Sequence, residues 1–574
     1  MPKIAVLPDI LINKIAAGEV IERPASIVRE LLDNSIDAGA TRIDVEVLHG
    51  GKKLIKVSDN GSGMGRDDAL LCFERHATSK IRSEDDLFDI STLGFRGEAL
   101  PAIASVSKIT LTSSVPHADT GVKIEIGVSQ KKEISDAPPF QGTTVEVRDI
   151  FYNTPARRKF LKSNPTELSH IIETVIQKAF AYQEISFSLS HNGSELLNVS
   201  SASGLRERFT QLYGDELTRE FFDAEKEGRG MKVYGFVSKA DFMRAGKSHQ
   251  YIFVNKRPVK NATVNHAVYK AYGELIPGGR HPAYFIFLDI DSTKVDVNVH
   301  PAKREVRFET PDEIHRVVEA AVYEALNPGT RRETNQLPEH HPGHKSTPHY
   351  SYSFSEPLRV GEQASEFFAA SQADFFASGT AQEVRRFYHV GESFFATITR
   401  DGLLIIDQHA AHERILYEKF LAKTSIETEM LALPLRVELP VREYTLIVEH
   451  KDFLHSLGMD IGDFGGNNII IRALPGELRK ADAKGLLMDL AAGIIEQETN
   501  GVKADVDRES LLKNIAARLA CHKSVRGDDP LTNEELTQMM SDLGQANEPD
   551  RCPHGRPTKI LLTLDDLKKM FKRK

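Results

Sequence analysis

The 574-residue chain contains no tryptophan and only three cysteines, Cys72, Cys521 and Cys552. Three thiols are too few for a disulfide framework and suit a reducing compartment, where paired thiols more often hold metal. Long hydrophobic runs are missing too, since no stretch reaches the roughly 18 apolar residues of a membrane-crossing helix. The opening "MPKIAVLPDI" has no long apolar stretch leading to a small-residue cleavage site, so neither membrane insertion nor secretion is expected. Positive charge is not in excess: the net charge of −9 does not announce a nucleic-acid binder. It leaves room for a local basic groove, because charge on one face matters more than the sum.

What is present points to several folded units. At 40% hydrophobic and 27% charged, a chain of this length makes roughly three to four compact domains. One break is clear. Residues 328–385, opening "NPGTRRETNQLPEHHPGHKSTPHY", are rich in Pro, Ser, His and Thr without sustained periodicity and read as a flexible linker. Its histidines, His340, His341, His344 and His349, read as part of a solvated tether rather than a metal site. Before it, "TRIDVEV", "GTTVEV" and "STKVDVNV" have strand patterns that alternate with helical ones, which predicts an α+β or α/β region. After it, "FFATITRDGLLIID" predicts a hairpin with Asp-Gly at the turn.

In "ERPASIVRELLDNSIDAGA", Pro24 suits a first helical turn, Ile27, Val28, Leu31 and Leu32 form an apolar stripe, and Gly39 supplies a stop. Glu30 and Asn34, four apart, share a side of this helix, so a carboxylate and an amide face one point. Alone, such a pair is usually surface decoration. It is followed by a strand, "KLIKVS", that delivers "DNGSGMG" at 59–65, then "ATSK" at 77–80 and "LGFRGEAL" at 93–100. Taken singly, "DNG" is a turn and "GFRGEAL" a weak glycine loop, though its glycines let backbone N–H groups approach a phosphate beside a helix start at Ala99. Two lookalikes fail. "AGKS" at 245–248 lacks the first P-loop glycine, which falls on Asp241, and "GSGMG" has Arg66 where a dinucleotide fingerprint needs its third glycine.

The combination resembles the GHKL ATPases, and with "FYNTPARRKFL" it is similar to the MutL family of DNA mismatch-repair proteins over essentially all of residues 1–330. The resemblance implies a GHKL (Bergerat) ATPase sandwich at 1–215, a ribosomal-protein-S5-like α/β domain at 216–330, a linker at 331–385 and a C-terminal α/β dimerisation and endonuclease domain at 386–574. It implies ATP with Mg²⁺, Glu30 as the general base toward the attacking water, and Asn34 on the metal. Asp59 would accept from the adenine amino group, Gly63 would give the base room, and Thr143 would lie nearby. Thr78, Ser79 and Lys80 would belong to the lid. Gly94, Arg96, Gly97, Glu98, Ala99 and Leu100 would form the phosphate cradle, and Lys303 would reach the γ-phosphate from the second domain. Where the family has Asn-Gly-Arg, this chain has "NKR": Lys256 puts a left-handed turn in doubt and leaves Arg257 as a DNA phosphate contact.

In "DQHAAHERILYE", at 407–418, a helix from about Gln408 puts His409 and Glu413 on one face, with Asp407 at the preceding strand end aimed at the same corner. The bland alternative is an exposed polar helix capped by Asp407. Glu418 lies about 180° round from His409 and belongs to the far side, while His412 sits near the ligand face. Cys521 in "ACHKSVRG" and Cys552 with His554 in "CPHGRP" add the mixed ligands that zinc or manganese sites use. These segments, with "FKR" at 571–573, resemble the C-terminal domain of endonuclease-type MutL proteins. The resemblance implies a Zn²⁺ or Mn²⁺ site built from Asp407, His409, Glu413, Cys521, Cys552 and His554, with Asp407 catalytic, that nicks DNA. It also implies a cytoplasmic, nucleoid-associated bacterial homodimer that works with double- and single-stranded DNA, with the mismatch-recognition protein MutS and with a sliding clamp. The clamp-binding peptide is expected at "EMLALP", 429–434, where Glu429 replaces the usual Gln; otherwise the stretch is simply a strand. Two other readings stand beside this one: an ATP-switched matchmaker of the same family without nuclease activity, and another GHKL member such as a topoisomerase, chaperone or sensor kinase.

Overall fold

The computed structural model describes residues 21–327 apart from 75, 81–92, 95–96, 130, 245, 277–279 and 297–305. It also describes residues 386–572 apart from 392, 423–427, 479–481, 501–512, 514, 520–530 and 554. The first unit is an eight-stranded sheet in the order β5-β4-β3-β6-β2-β1-β7-β8. Its strands are β1 (Arg42–Leu48), β2 (Leu54–Asp59), β3 (Lys108–Ser114), β4 (Gly121–Ile126), β5 (Lys132–Ala137), β6 (Gly142–Arg148), β7 (Ser186–His191) and β8 (Ser194–Val199). β1 and β7 run parallel, and every other neighbouring pair is antiparallel.

Helix α1 (Pro24–Asp37) forms as its sequence predicts. Pro24 opens it, Ile27, Val28, Leu31 and Leu32 are buried, and Gly39 follows at φ 71°. α2 (Ala99–Val106) starts at Ala99, and α3 (Asn164–Ala181) packs on α1. The strands answer with Val45, Val47, Ile55, Val57, Leu111 and Val147, alternate residues that share the buried face. Gly50 and Gly51, both at positive φ, make the β1–β2 turn.

α4 (Leu205–Thr218), broken by a kink at Gly214 (φ 79°), bridges to a second sheet, and the expected boundary at residue 215 falls beside that kink. That sheet, β12-β11-β13-β10-β9, comprises β9 (Phe221–Gly228), β10 (Met231–Ser238), β11 (Gln250–Val254), β12 (Arg257–Val259) and β13 (Tyr284–Ile290). α5 (Ala262–Tyr272) and α6 (Pro311–Leu326) pack together beside it. The joint between the two units is aromatic. Phe180 of α3 stacks on Phe285 at 5.0 Å, Phe209 of α4 on Phe236 at 4.7 Å, and Phe253 on Phe287 at 4.3 Å.

In the C-terminal half, β16 (Tyr388–Val390), β17 (Phe394–Thr399), β18 (Gly402–Asp407) and β22 (Lys559–Thr563) form one sheet. Helices α7 (Gln408–Ala422) and α10 (Asn533–Gly544) cover one of its faces through Phe395, Ile406, Ile415, Leu536 and Leu543. A lobe of β19 (Thr428–Glu438), β20 (Asp460–Gly465) and β21 (Asn468–Pro475), with α8 (Val441–Glu449) and α9 (Ala483–Asn500), shares one continuous buried apolar cluster with the first unit. Among the described residues no helix is long and apolar enough to cross a membrane.

Three local expectations change. In "STKVDVNV", Ser292–Lys294 is a 3-10 turn and the described strand is only Val295–Asp296, because Asp291 caps the turn by accepting from the Thr293 N–H and hydroxyl. The hairpin turn is Arg400-Asp401, not Asp-Gly, and Gly402 is the first residue of β18. A Cβ at Gly402 would lie 2.1 Å from the Leu562 carbonyl oxygen, so the neighbouring strand requires this glycine. Lys256 nevertheless keeps the left-handed turn, at φ 63° after Asn255 at φ 49°. That two-residue β11–β12 connection needs positive φ at both positions, and the Lys256 ammonium is tied 3.2 Å from Glu184.

Candidate nucleotide and metal sites

Residues from α1, β2, the 60–80 loop, the start of α2 and β6 meet on one cavity of about 2140 Å³. Glu30, Asn34, Asp59, Gly63, Thr78, Ser79, Lys80, Gly94, Gly97, Glu98, Ala99, Leu100 and Thr143 all line it, as does Arg257. Arg96 and Lys303 lie outside the described residues.

Asp59 is held by its neighbours. One carboxylate oxygen accepts from the Ser35 hydroxyl at 2.7 Å, and the other from the Gly61 N–H at 2.9 Å and the Thr143 N–H at 3.3 Å. Three donors on an acceptor-only group fix its orientation at the cavity wall. Gly63, at φ 66°, has its own reason to be glycine: a Cβ there would lie 2.0 Å from the Ser114 carbonyl oxygen. The expectation that it makes room for a base is joined by the closer demand of β3.

The lid and cradle motifs pack against each other. A Cβ on Gly97 would lie 2.4 Å from the Ala77 carbonyl oxygen, so "ATSK" and "LGFRGEAL" meet backbone to backbone. Lys80 reaches across to α1, donating to Asn34 Oδ1 at 2.9 Å and to Asp37 Oδ2 at 2.6 Å. Asp37 also accepts from the Leu93 and Gly94 N–H groups at 3.0 and 3.1 Å. An ammonium therefore lies on the amide oxygen assigned to Mg²⁺, and a cation bound there has to displace it or share the ligand. Asp37 went unremarked in the sequence although it lies seven residues from Glu30 and three from Asn34, on the same helical side. Cys72 also lines the cavity; burial pushes its thiol up to about 12, so it is inert rather than nucleophilic.

The second cluster lies where β18 enters α7. Asp407 Oδ1 accepts from the Ala410 N–H at 3.0 Å, so it does cap the helix. Glu413 is fully buried, 3.4 Å from His409 Nε2 and 3.2 Å from the Arg556 guanidinium. Burial lowers the Arg556 pKa, but Glu413, the Cys552 sulfur and Asp407 together raise it by more, so acidic groups converge on one guanidinium. Cys552 itself is buried. Arg556, in "CPHGRP", was not singled out from sequence; a buried carboxylate demands such a partner. Glu418 turns away, accepting from Arg414 at 3.2 Å and Asn547 at 2.6 Å, in the structural part its helical position implied. Cys521 and His554 lie outside the described residues, and among the described residues no group of three or more His, Cys, Asp or Glu is close enough to hold a metal ion.

The far face of the β16-β17-β18-β22 sheet is apolar and open. Tyr388, Val390, Phe394, Ile398 and Ile560 fall on it by register and are 45–59% exposed. The 429–434 stretch lies in β19, with Met430 and Leu433 exposed and an irregular register between Met430 and Leu435.

Comparison with known proteins gives three family matches. Residues 22–149 match the histidine kinase-, DNA gyrase B- and HSP90-like ATPase family, 209–327 the C-terminal domain of DNA mismatch repair proteins, and 388–531 the MutL C-terminal dimerisation domain. The DNA mismatch repair protein MutL of Thermodesulfovibrio yellowstonii is 39% identical over 578 residues, all of both chains. That of Syntrophotalea carbinolica is 38% identical over 633 residues, covering 100% of this chain and 99% of the relative. Among solved structures, the Aquifex aeolicus MutL ATPase domain complexed with ADP is 26% identical, covering 52% of this chain and 98% of that one with a TM-score of 0.37.

Proposed function

The chain belongs to the MutL family of DNA mismatch-repair proteins, and from that premise we propose that it is an ATP-regulated repair factor with a latent, metal-dependent nicking activity. The carrying observation is the gathering of Glu30, Asn34, Lys80, Asp59 and Thr143 on one cavity of an ATPase domain. In this reading Asp59 and Thr143 hold the base, Asn34 the Mg²⁺ and Glu30 the attacking water. Thr78, Ser79 and Lys80 close over the phosphates, Gly94, Arg96, Gly97, Glu98, Ala99 and Leu100 cradle them, and Lys303 completes the site. Mg²⁺ would neutralise the charge that develops on the phosphates.

The nicking part rests on the 407–418 and 552–556 cluster. Asp407, His409, Glu413, Cys521, Cys552 and His554 would hold Zn²⁺ or Mn²⁺, which supplies an activated water for phosphodiester attack. Their chemistry fits, since thiolate, imidazole and carboxylate are the donors such ions take. Arg257 would contact DNA phosphate, MutS would report the mismatch, and residues 429–434 would engage a sliding clamp. Purified protein with Mn²⁺ is expected to nick supercoiled plasmid. Intact plasmid together with ATP turnover would leave the ATP-switched matchmaker without nuclease activity.

The open sheet face gives the dimer. A second copy of the chain covers Tyr388, Val390, Phe394, Ile398 and Ile560 in this reading, because a patch of that composition left in water invites association. Ile398→Asp would bury an unpaired carboxylate at the contact, costing about 3 kcal/mol or more and raising the dimer dissociation constant at least about 100-fold. Sedimentation equilibrium of the full chain reads this directly. A wild-type dimer from Ile398→Asp would move the interface elsewhere.

A further inference from the structure

The cavity that carries Glu30 and Asn34, at about 2140 Å³, is about twice the upper end of the usual range for a small-molecule pocket. A nucleotide fills only part of it. His170, Glu173 and Gln177 of α3 line it too, as do the basic residues Lys247, Arg257 and Lys260. The other half of the chain contributes Ala492, Ile495 and Glu496 of α9 to the same lining, with Ala492 and Glu496 beside Gly246.

Besides the apolar cluster that the two parts share, this contact holds buried charge. Asp489, 2% exposed, meets Arg280 at 2.8 Å, and the Arg244 guanidinium lies 3.3 Å from the Met488 sulfur. Arg442 of α8 donates to Ser169 Oγ at 2.9 Å and pairs with Glu173 at 3.1 Å, while its neighbour Glu443 sits 3.4 Å from His249. Lys484 pairs with Glu216 at 2.8 Å. Separating such surfaces leaves charges to be rehydrated or paired anew, so the lobe has one preferred seat. Within it, a Cβ on Gly246 would lie 2.9 Å from Ala492 Cβ and 3.0 Å from Glu496 Oε1.

We propose that the C-terminal lobe, residues 428–496, is a cis-acting plug that occupies a DNA groove on the N-terminal half and leaves it when DNA binds. Seated, the lobe shares with Lys247, Arg257 and Lys260 the lining of this cavity, and its Glu496 carboxylate, paired with Arg518 at 2.6 Å, lies beside Gly246, next to Lys247, so the lobe takes up space along the basic stretch. DNA and the lobe then compete, and each shifts the balance only by its preference for one form. The inference rests on the reading of Arg257 as a DNA contact.

Two variants of the full chain test it at one point. Gly246→Cys with Ala492→Cys locks the lobe, since a relaxation of under about 1 Å brings the two Cβ atoms to disulfide distance. Ala492→Tyr is an uncharged wedge against Gly246. On oxidation, the double-cysteine protein is expected to form an intrachain link at monomer mass on a non-reducing gel. Its affinity for a short DNA duplex, read by fluorescence anisotropy, should fall about 10-fold or more and return with reductant, within the usual range of coupling between sites. The wedge should bind DNA about 10-fold tighter than wild type. A link that forms only between chains, no link at all, or a link without effect on DNA affinity overturns the plug. Arg257→Glu in the wedge background separates the two readings: lost DNA binding keeps the contact whatever the lock does, and unchanged binding removes the contact and the plug with it.

Discussion

Glu30→Ala is expected to leave nucleotide affinity near wild type and to slow hydrolysis by about 10²–10⁴-fold, the range for loss of a general base, the role proposed for Glu30. Glu30 sits one turn before Asn34 on α1, away from the three donors that orient Asp59, so its removal leaves the base-recognition wall standing. The rigid strand-and-helix scaffold also stays, since Ile27, Val28, Leu31 and Leu32 of α1 are buried in the core whether or not Glu30 is present. Asn34→Ala behaves differently. It removes the oxygen that Lys80 contacts and that Mg²⁺ would take, so binding of Mg²⁺-nucleotide falls as well. Calorimetry with a non-hydrolysable analogue, alongside phosphate release, separates the two variants. Equal loss of binding in both would sink the division of roles.

Asp407→Asn is expected to abolish the proposed Mn²⁺-dependent nicking while fold and ATP turnover remain. The substitution discriminates because Asp407 does cap α7 and asparagine caps nearly as well. A purely structural Asp407 therefore predicts normal nicking, whereas a metal-holding Asp407 predicts none, since the amide lacks the charge. Cys552→Ser should lower zinc content by elemental analysis, as thiolate is the softest donor offered. Glu418→Gln should be mild, because Glu418 is engaged with Arg414 and Asn547 on the other side of the helix. Wild-type nicking by Asp407→Asn, with unchanged metal in Cys552→Ser, would return the protein to the matchmaker reading.

Local order was legible where one pattern dictated it. The Pro24 start, the Ile27–Leu32 stripe and the Gly39 stop define α1, and the four-residue spacing of His409 and Glu413 places both on one helical side. The nucleotide motifs were legible as a set, and they meet on one cavity although they come from five separate segments. Long-range pairing was not legible. Nothing near Lys80 announces Asp37, 43 residues away, and nothing near Arg442 announces Ser169, 273 residues away. Periodicity reports which side of a helix is apolar and says nothing of which distant charge will meet it. Gly402 and Gly63 were misread or half-read for the same reason, since the atoms that forbid a side chain there belong to strands elsewhere in the chain.

The aromatic joint between the two N-terminal units has an optical consequence. With no tryptophan among 574 residues, the near-ultraviolet signal of the folded chain belongs to its 14 tyrosines and its phenylalanines. The tyrosines buried among the described residues are Tyr213, Tyr251, Tyr272 and Tyr284, and all lie at that joint, in the sheet beyond it or, for Tyr272, at the end of α5 beside that sheet. Tyr213 and Tyr251 each pack within 5.3 Å of the Phe285 ring. Burial raises the phenol pKa of all four, so alkali that ionises exposed tyrosines leaves these neutral. Fixed rings in an asymmetric setting give circular dichroism, and exposed mobile ones give little. The chain thus carries its own chromophores at the seam between nucleotide domain and second sheet, where any movement of one against the other changes the light absorbed.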